Sequence, residues 1–273
     1  GEKINKWTKL SGSSIYYADI KNSETRNLYI NGYPATLARS KYIYRAAAPI
    51  IPATPNNNYH ITDGITISKS NFPASLKNES GLTLVYNNLW ANQRVLVDSV
   101  VYDDRNANLY MKQPYYYAAS YWLTTSTSTH FDKYFYIENA LSLLDEPGEF
   151  YVHKNSNRVY YYAYPEEDMT TAEAYIGVSD KLLNLCGTDK NNKLENFIVD
   201  SVEFKYGTNN NVNTYGAVFH QTDNVRTGTT SYYKNEMMKS QISVNNADGV
   251  IIRNCDFSCL GSNALNLDEA VTN

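Results

Sequence analysis

ISVNNADGVIIRNCDFSCLGSNALNL, residues Ile242 to Leu267, is the stretch in which a short period repeats on itself. Ile242 alternates with Val244, Val250 with Ile252 and Cys255 with Phe257, and Leu265 and Leu267 return 23 residues after Ile242 and Val244. Each apolar pair reads as a short strand with one face turned inward. Asn245, Asn246, Asp248, Gly249, Asn254, Ser258, Gly261 and Ser262 between them are turn formers. Three short strands per 23-residue turn describe one coil of a parallel β-helix. The pattern places Ile252 and Phe257 on the inward side.

An earlier copy lies upstream. Phe197-Ile198-Val199, then Val202-Glu203-Phe204 and Gly207, matches Val250-Ile251-Ile252, then Cys255-Asp256-Phe257 and Gly261, and the strand blocks are offset by 53 residues. That offset is one coil plus a 30-residue insertion, and Leu183 and Leu185 open the earlier coil. A coil exposes apolar layers at its ends until another coil or a cap stacks on it. Because the sequence stops at Asn273 inside a coil, the chain is expected to be the front of a longer protein or one half of a split one. Its open end is expected to meet a second polypeptide, to associate end to end, or to be buried in a crystal contact through Leu265 or Leu267.

The 273 residues suffice for one large domain or two small ones. With a net charge of −4, nothing draws the chain to nucleic acid or to an anionic membrane. No apolar run approaches the roughly 20 residues of a membrane span. Tyrosine is the anomaly: 26 Tyr against 8 Phe and 3 Trp fits half-wetted sheets and also a sugar-binding surface. Cys186, Cys255 and Cys259 are odd in number and lack zinc spacing, so they are expected to be small buried hydrophobes. Neither a metal nor another cofactor is expected.

Before the repeat, the signals are those of antiparallel strands over 1–175. Strands are predicted at Ser14–Ala18, Asn27–Ile30 and Ala35–Arg39, the last two joined through the Asn31-Gly32 turn. Others fall at Ile65–Ile67, Leu82–Tyr86, Arg94–Val101, Ala174–Ile176, and in a hairpin of Glu149–His153 with Arg158–Ala163. One helix is predicted, over Ile137–Leu144, ended by Asp145-Glu146-Pro147-Gly148. Asp103-Asp104 with Asn106 and Asn108 lacks the full ligand pattern of a calcium loop and reads as a solvated loop.

LYINGYPATLARS (Leu28–Ser40), YIENALSLLDEPGEFYVHKNSNRVYYYAYPEEDM (Tyr136–Met169) and GVIIRNCDFSCLGSNALNL together resemble the N-terminal part of bacterial right-handed parallel β-helix glycoside hydrolases, the group containing the family 141 fucosidases and xylanases. The hairpin departs from the pattern at Tyr33-Pro34, and His153 stands where an Asp is common. The resemblance implies an all-β chain: an antiparallel region over 1–175, then the first coils of a right-handed parallel β-helix over 176–273. It also implies a secreted enzyme that hydrolyses glycosidic bonds of plant or host polysaccharide, with polysaccharide or oligosaccharide as partner.

Such hydrolysis takes two carboxyl groups about 5–9.5 Å apart. Stacked positions on adjacent coils lie about 4.8 Å apart, which suits the shorter spacing. In the resembling enzymes the acids lie on coils beyond Asn273. Within this chain, Asp268 and Glu269 flank a coil strand and are the catalytic candidates, at most one facing a cleft. His220, in the insertion, is the substrate-binding candidate; Asp145, Glu146 and Glu149 read as hydrogen-bonding residues that fix the start of the hairpin. The other reading of the chain is a non-catalytic glycan-binding or adhesin-like β-helix module.

Overall fold

The computed structural model describes residues 1–50, 63–77, 79, 81–88, 91–113, 116, 134–210, 212, 217–219, 224–227 and 234–272. The chain is all-β, and most of its strand pairings are antiparallel. A four-stranded sheet (Glu2–Lys3, Ala174–Ile176, Leu28–Ile30, Tyr33–Pro34) faces a five-stranded one (Thr8–Lys9, Ile15–Asp19, Arg158–Tyr162, Glu149–His153, Thr36–Leu37). Alternation along these strands sends Leu28, Ile30, Phe150, Val152, Val159, Tyr161 and Ile176 into one core. The predicted hairpin of Glu149–His153 with Arg158–Tyr162 forms with Phe150 opposite Tyr161 and Val152 opposite Val159.

The Asn31-Gly32 turn also forms, with both residues at positive φ, but its hairpin is short. Across the turn Leu28–Ile30 pairs with Tyr33–Pro34 rather than with Ala35–Arg39, and Thr36–Leu37 crosses to the other sheet and lies parallel to Glu149–Phe150. Pro34 lacks an N–H and cannot continue an antiparallel ladder, so the chain leaves the sheet there.

A ten-stranded sheet is built around the long strand Ala91–Tyr102. Thr83–Asn88 lies along one side of it, followed by Tyr134–Glu138 and Tyr44–Arg45. Asn106–Met111, Gly64–Ser68 and Ala48–Ile50 continue in the other direction. Leu84, Val95, Val100, Leu109, Phe135 and Ile137 supply its buried face. The strands Ala217–Phe219, Asn224–Thr227 and Lys234–Met237 join the same sheet, with Asn92 opposite Phe219 and Arg94 opposite Ala217. The insertion thus runs back onto the antiparallel part. Gly64 is obligatory for steric reasons: a Cβ there would lie 1.9 Å from the Leu109 carbonyl oxygen.

Residues 137–144 are not helical, in contrast to the prediction. Tyr134–Glu138 is a strand, and only Leu141–Leu143 makes a single 3-10 turn. Ile137 is fully buried opposite Leu84, and its N–H donates to Ser40 Oγ (3.0 Å). Asn139 then takes φ 67°, a left-handed value that ends any helix through it. Sheet burial overrode a local pattern that fitted a helix. The Leu-Leu-Asp-Glu-Pro-Gly turn does form as read: Glu149 Oε2 accepts the N–H groups of Asp145 and Glu146 (both 3.3 Å), and Oε1 accepts that of Arg39 (3.4 Å). Burial raises the Glu149 pKa despite these bonds.

Downstream of Ile176, apart from the insertion strands, the pairing becomes parallel, in the register the repeat predicts. Leu183–Cys186 pairs with Ser240–Asn245, which pairs with Asn263–Leu267; Ile242 and Val244 lie between Leu183 and Leu185 on one side and Leu265 and Leu267 on the other. Three further two-stranded ladders set Leu194 beside Ala247, Val199 beside Ile252 and Phe204 beside Phe257. Asn196, Asn246, Gly249 and Asn254 turn the corners at positive φ.

The inward core holds Leu185, Val199, Phe204, Ile242, Val244 and Ala247, with Ile252 packed against it. Phe257 stacks on Phe204 (centroids 5.4 Å apart) yet remains partly exposed, as do Leu265 and Leu267, because no layer lies beyond them among the described residues. What stands here is four parallel ladders two or three strands deep; none of these sheets is a solenoid, and the expected parallel β-helix is not formed among the described residues. The three cysteines are free, and none is buried as expected: Cys255 and Cys259 are half-buried and Cys186 is exposed. It is the last residue of its strand and falls on the outward side of Leu185.

Candidate functional site

The residues singled out by sequence are Asp268, Glu269 and His220. His220 lies outside the described residues. Asp268 and Glu269 follow the strand Asn263–Leu267 with exposed side chains. Their backbones are fastened: the Asp268 N–H donates to Val244 O (2.8 Å), and the Glu269 carbonyl accepts from the Asn246 N–H (2.9 Å). Asp103 is a turn cap rather than a cation ligand. Its carboxylate accepts the N–H groups of Arg105 (2.8 Å) and Asn106 (2.7 Å) and Asn108 Nδ2 (2.9 Å), and Asn106–Met111 is a strand that the loop reading missed.

Those three donors favour the ionised form and hold the Asp103 pKa at about 2, below its ordinary 3.8. With the folded value depressed, the stabilisation is complete above the unfolded value and is lost as pH falls through about 2. Asp103→Ala should therefore flatten the fall of melting temperature between pH 4 and 2 and leave the neutral-pH slope unchanged, which a calorimetric pH series reads directly.

A concave site emerges from side chains far apart in sequence. It is a cavity of about 360 Å³ lined by Arg26, Arg39, Arg94, Tyr136, Glu138 and, on the opposite wall, Asn209 with Gly261. Strand periodicity explains its inner wall. Phe135 and Ile137 enter the core, so Tyr136 and Glu138 share the other face. Val85 pairs with Arg94 on one side and Tyr136 on the other, which brings those two side chains to the same face above it. Arg39 reaches the rim through a backbone bridge to Glu138, and Arg26 enters just before the strand Leu28–Ile30.

Glu138 is the hub. Its Oε2 accepts from Arg26 Nη2 at 2.9 Å and lies 3.5 Å from Arg94 Nε, while Oε1 accepts the Tyr136 hydroxyl at 3.3 Å. Arg26 and Glu138 side chains are only 10% and 7% exposed. Desolvation lowers the Arg26 pKa, partly offset by Glu138 and deepened by Arg94. Burial raises the Tyr136 phenol, and Glu138 adds to this, while Arg94 and Arg39 oppose it. Among the described lining residues there are thus three arginines and one carboxylate, with Arg26 and Arg94 paired to Glu138. Sequence reading missed this site because no local spacing links positions 26, 39, 94 and 138.

The cavity lies where a mainly antiparallel region meets parallel ladders in repeat register. Residues 12–164 match the GH141 insertion domain, and the chain belongs to that family. No curated protein matches it. A solved structure described as a glycoside hydrolase shares the fold, with a TM-score of 0.76 at 21% identity over 99% of this chain. The chain spans about half that protein's length, 49%.

Proposed function

We propose that this chain is a portion of a secreted carbohydrate-active enzyme that hydrolyses glycosidic bonds of plant or host polysaccharide. Its four parallel ladders are the first coils of a right-handed β-helix. The observation that carries this reading is the parallel register itself, in a chain of the GH141 insertion domain family: offsets of 23 and 53 residues place apolar side chains of one layer on those of the next. Strands stacked parallel at about 4.8 Å are a scaffold on which two carboxylates of adjacent layers reach the retaining distance of about 5 Å. The likeness to a glycoside hydrolase of about twice the length supports a catalytic pair on layers stacked over Leu265 and Leu267. Asp268 and Glu269 follow the strand of that layer with exposed side chains and are the candidates this chain itself offers.

On this reading the 273-residue chain alone does not turn over aryl fucosides, xylosides or galactosides, whereas the longer parent polypeptide does. Release of the chromophore by the shorter chain would place the chemistry within it, with Asp268→Asn and Glu269→Gln as the variants to abolish it. Inactivity of both, with glycan binding retained, would favour the non-catalytic binding module.

A further inference from the structure

We propose that the cavity between Arg39, Arg94 and Tyr136 binds the carboxylate of an acidic sugar, a hexuronate unit of the polysaccharide. The inference rests on the reading of the partner as a glycan, and it adds the charge class of that glycan and the place where it is held.

The charge count favours an anion. Both oxygens of Glu138 are engaged, one by Arg26 and Arg94 and the other by Tyr136. Among the described lining residues, one carboxylate therefore stands against three arginines. Arg39 forms no ion pair with a carboxylate among the described residues; its backbone N–H is fixed by Glu149, and its positive field reaches the Tyr136 phenol. A planar guanidinium presents paired N–H donors that match the two oxygens of a carboxylate. Arg39 at the rim supplies such a fork, and Arg94 is held beside it, its Nη1 donating to Asn92 Oδ1 and its Nε facing Glu138, so that its charge adds to the field there.

The volume, about 360 Å³, lies at the small end of the range for ligand pockets and suits one sugar unit rather than a long chain segment. The far wall, Asn209 and Gly261, belongs to the parallel region and the near wall to the antiparallel sheet. An occupant therefore bridges the two parts of the chain. Gly261 keeps that wall close, since a Cβ there would come within 2.4 Å of the Thr208 backbone.

Isothermal titration of the 273-residue chain with sodium galacturonate and sodium glucuronate tests this, with galactose, xylose and sodium sulfate as the other arms. The uronates should bind at least about tenfold more tightly than the neutral sugars, and the affinity should fall as NaCl rises from about 0.05 to 0.5 M. Arg39→Ala should weaken uronate binding by about tenfold or more with an unchanged melting temperature, and Arg39→Lys should recover only part of it because the fork is lost. Equal binding of neutral sugars, sulfate binding as tightly as the uronates, or an Arg39→Ala variant with undiminished affinity would each overturn the assignment. Hydrolysis of neutral glycosides by the longer polypeptide without uronate binding would overturn this inference alone. Uronate binding without hydrolysis would overturn the hydrolase reading alone.

Discussion

Glu138→Ala should destabilise the fold by about 3–5 kcal/mol, the range for breaking a buried ion pair by removing one partner. The loss of the bond itself is the smaller part of that figure. Arg26, 10% exposed, would keep its charge with the 2.9 Å carboxylate gone and Arg94 beside it, so the residual term is like-charge repulsion at a desolvated position. Glu138→Gln should cost less, since the amide oxygen still accepts one bond from Arg26. The exposed pair of Lys154 with Glu24, at a comparable 2.8 Å, provides the contrast. Water screens it, and Lys154→Ala should stay within about 1 kcal/mol. Urea unfolding midpoints of the three variants separate burial from distance; a Glu138→Ala midpoint within about 1 kcal/mol of the wild type would mean that the Arg26 charge is solvated in a way its burial does not indicate.

Val244→Asp should prevent soluble folding altogether. Val244 is fully buried at the centre of the three-stranded parallel ladder, between Leu185 and Leu267, in a core of Leu185, Val199, Phe204, Ile242 and Ala247 that offers no cation. An unpaired carboxylate there either stays ionised without solvent or is protonated at a large cost. With the lost packing added, the penalty exceeds about 4 kcal/mol, a large share of the 5–15 kcal/mol that stabilises a typical domain. Leu267→Asp places the same charge directly opposite Val244, on the edge strand of the same ladder, where the native side chain is 65% exposed, and should leave expression and melting nearly unchanged. The ratio of soluble protein between these variants checks which layer is interior; equal solubility would contradict the packing order.

The parallel register was legible because a repeat makes long-range pairing a local property of the sequence. Ile242 and Leu265, or Val199 and Ile252, carry the same pattern at a fixed offset, and Asn246, Gly249 and Asn254 mark the corners that only residues tolerant of positive φ occupy readily. The Glu149–His153 hairpin was legible for a similar reason, its partner lying a few residues away. The strand over Tyr134–Glu138 was misread because its partners Leu84 and Arg45 are distant and the pattern following it, Ala-Leu-Ser-Leu-Leu, fits a helix equally well.

The cavity was the least legible feature. Arg26, Arg39, Arg94 and Glu138 are ordinary surface residue types in the sequence, and only the pairing of Val85 with both Arg94 and Tyr136, and the bridge from Arg39 to Glu138, brings them to one place. The sequence candidates Asp268 and Glu269 lie at the other end of the strand that begins after Gly261, on the order of 20 Å away at about 3.3 Å per residue.

The most direct test of the account is a crystal structure of the longer parent polypeptide with a non-hydrolysable glycoside bound. It should show a further strand paired parallel to Asn263–Leu267, with apolar side chains over Leu265 and Leu267, and a carboxylate pair about 5–9.5 Å apart on adjacent layers against the glycosidic oxygen. An antiparallel hairpin covering Leu265 and Leu267, or a glycoside held away from every pair of carboxylates, would contradict it.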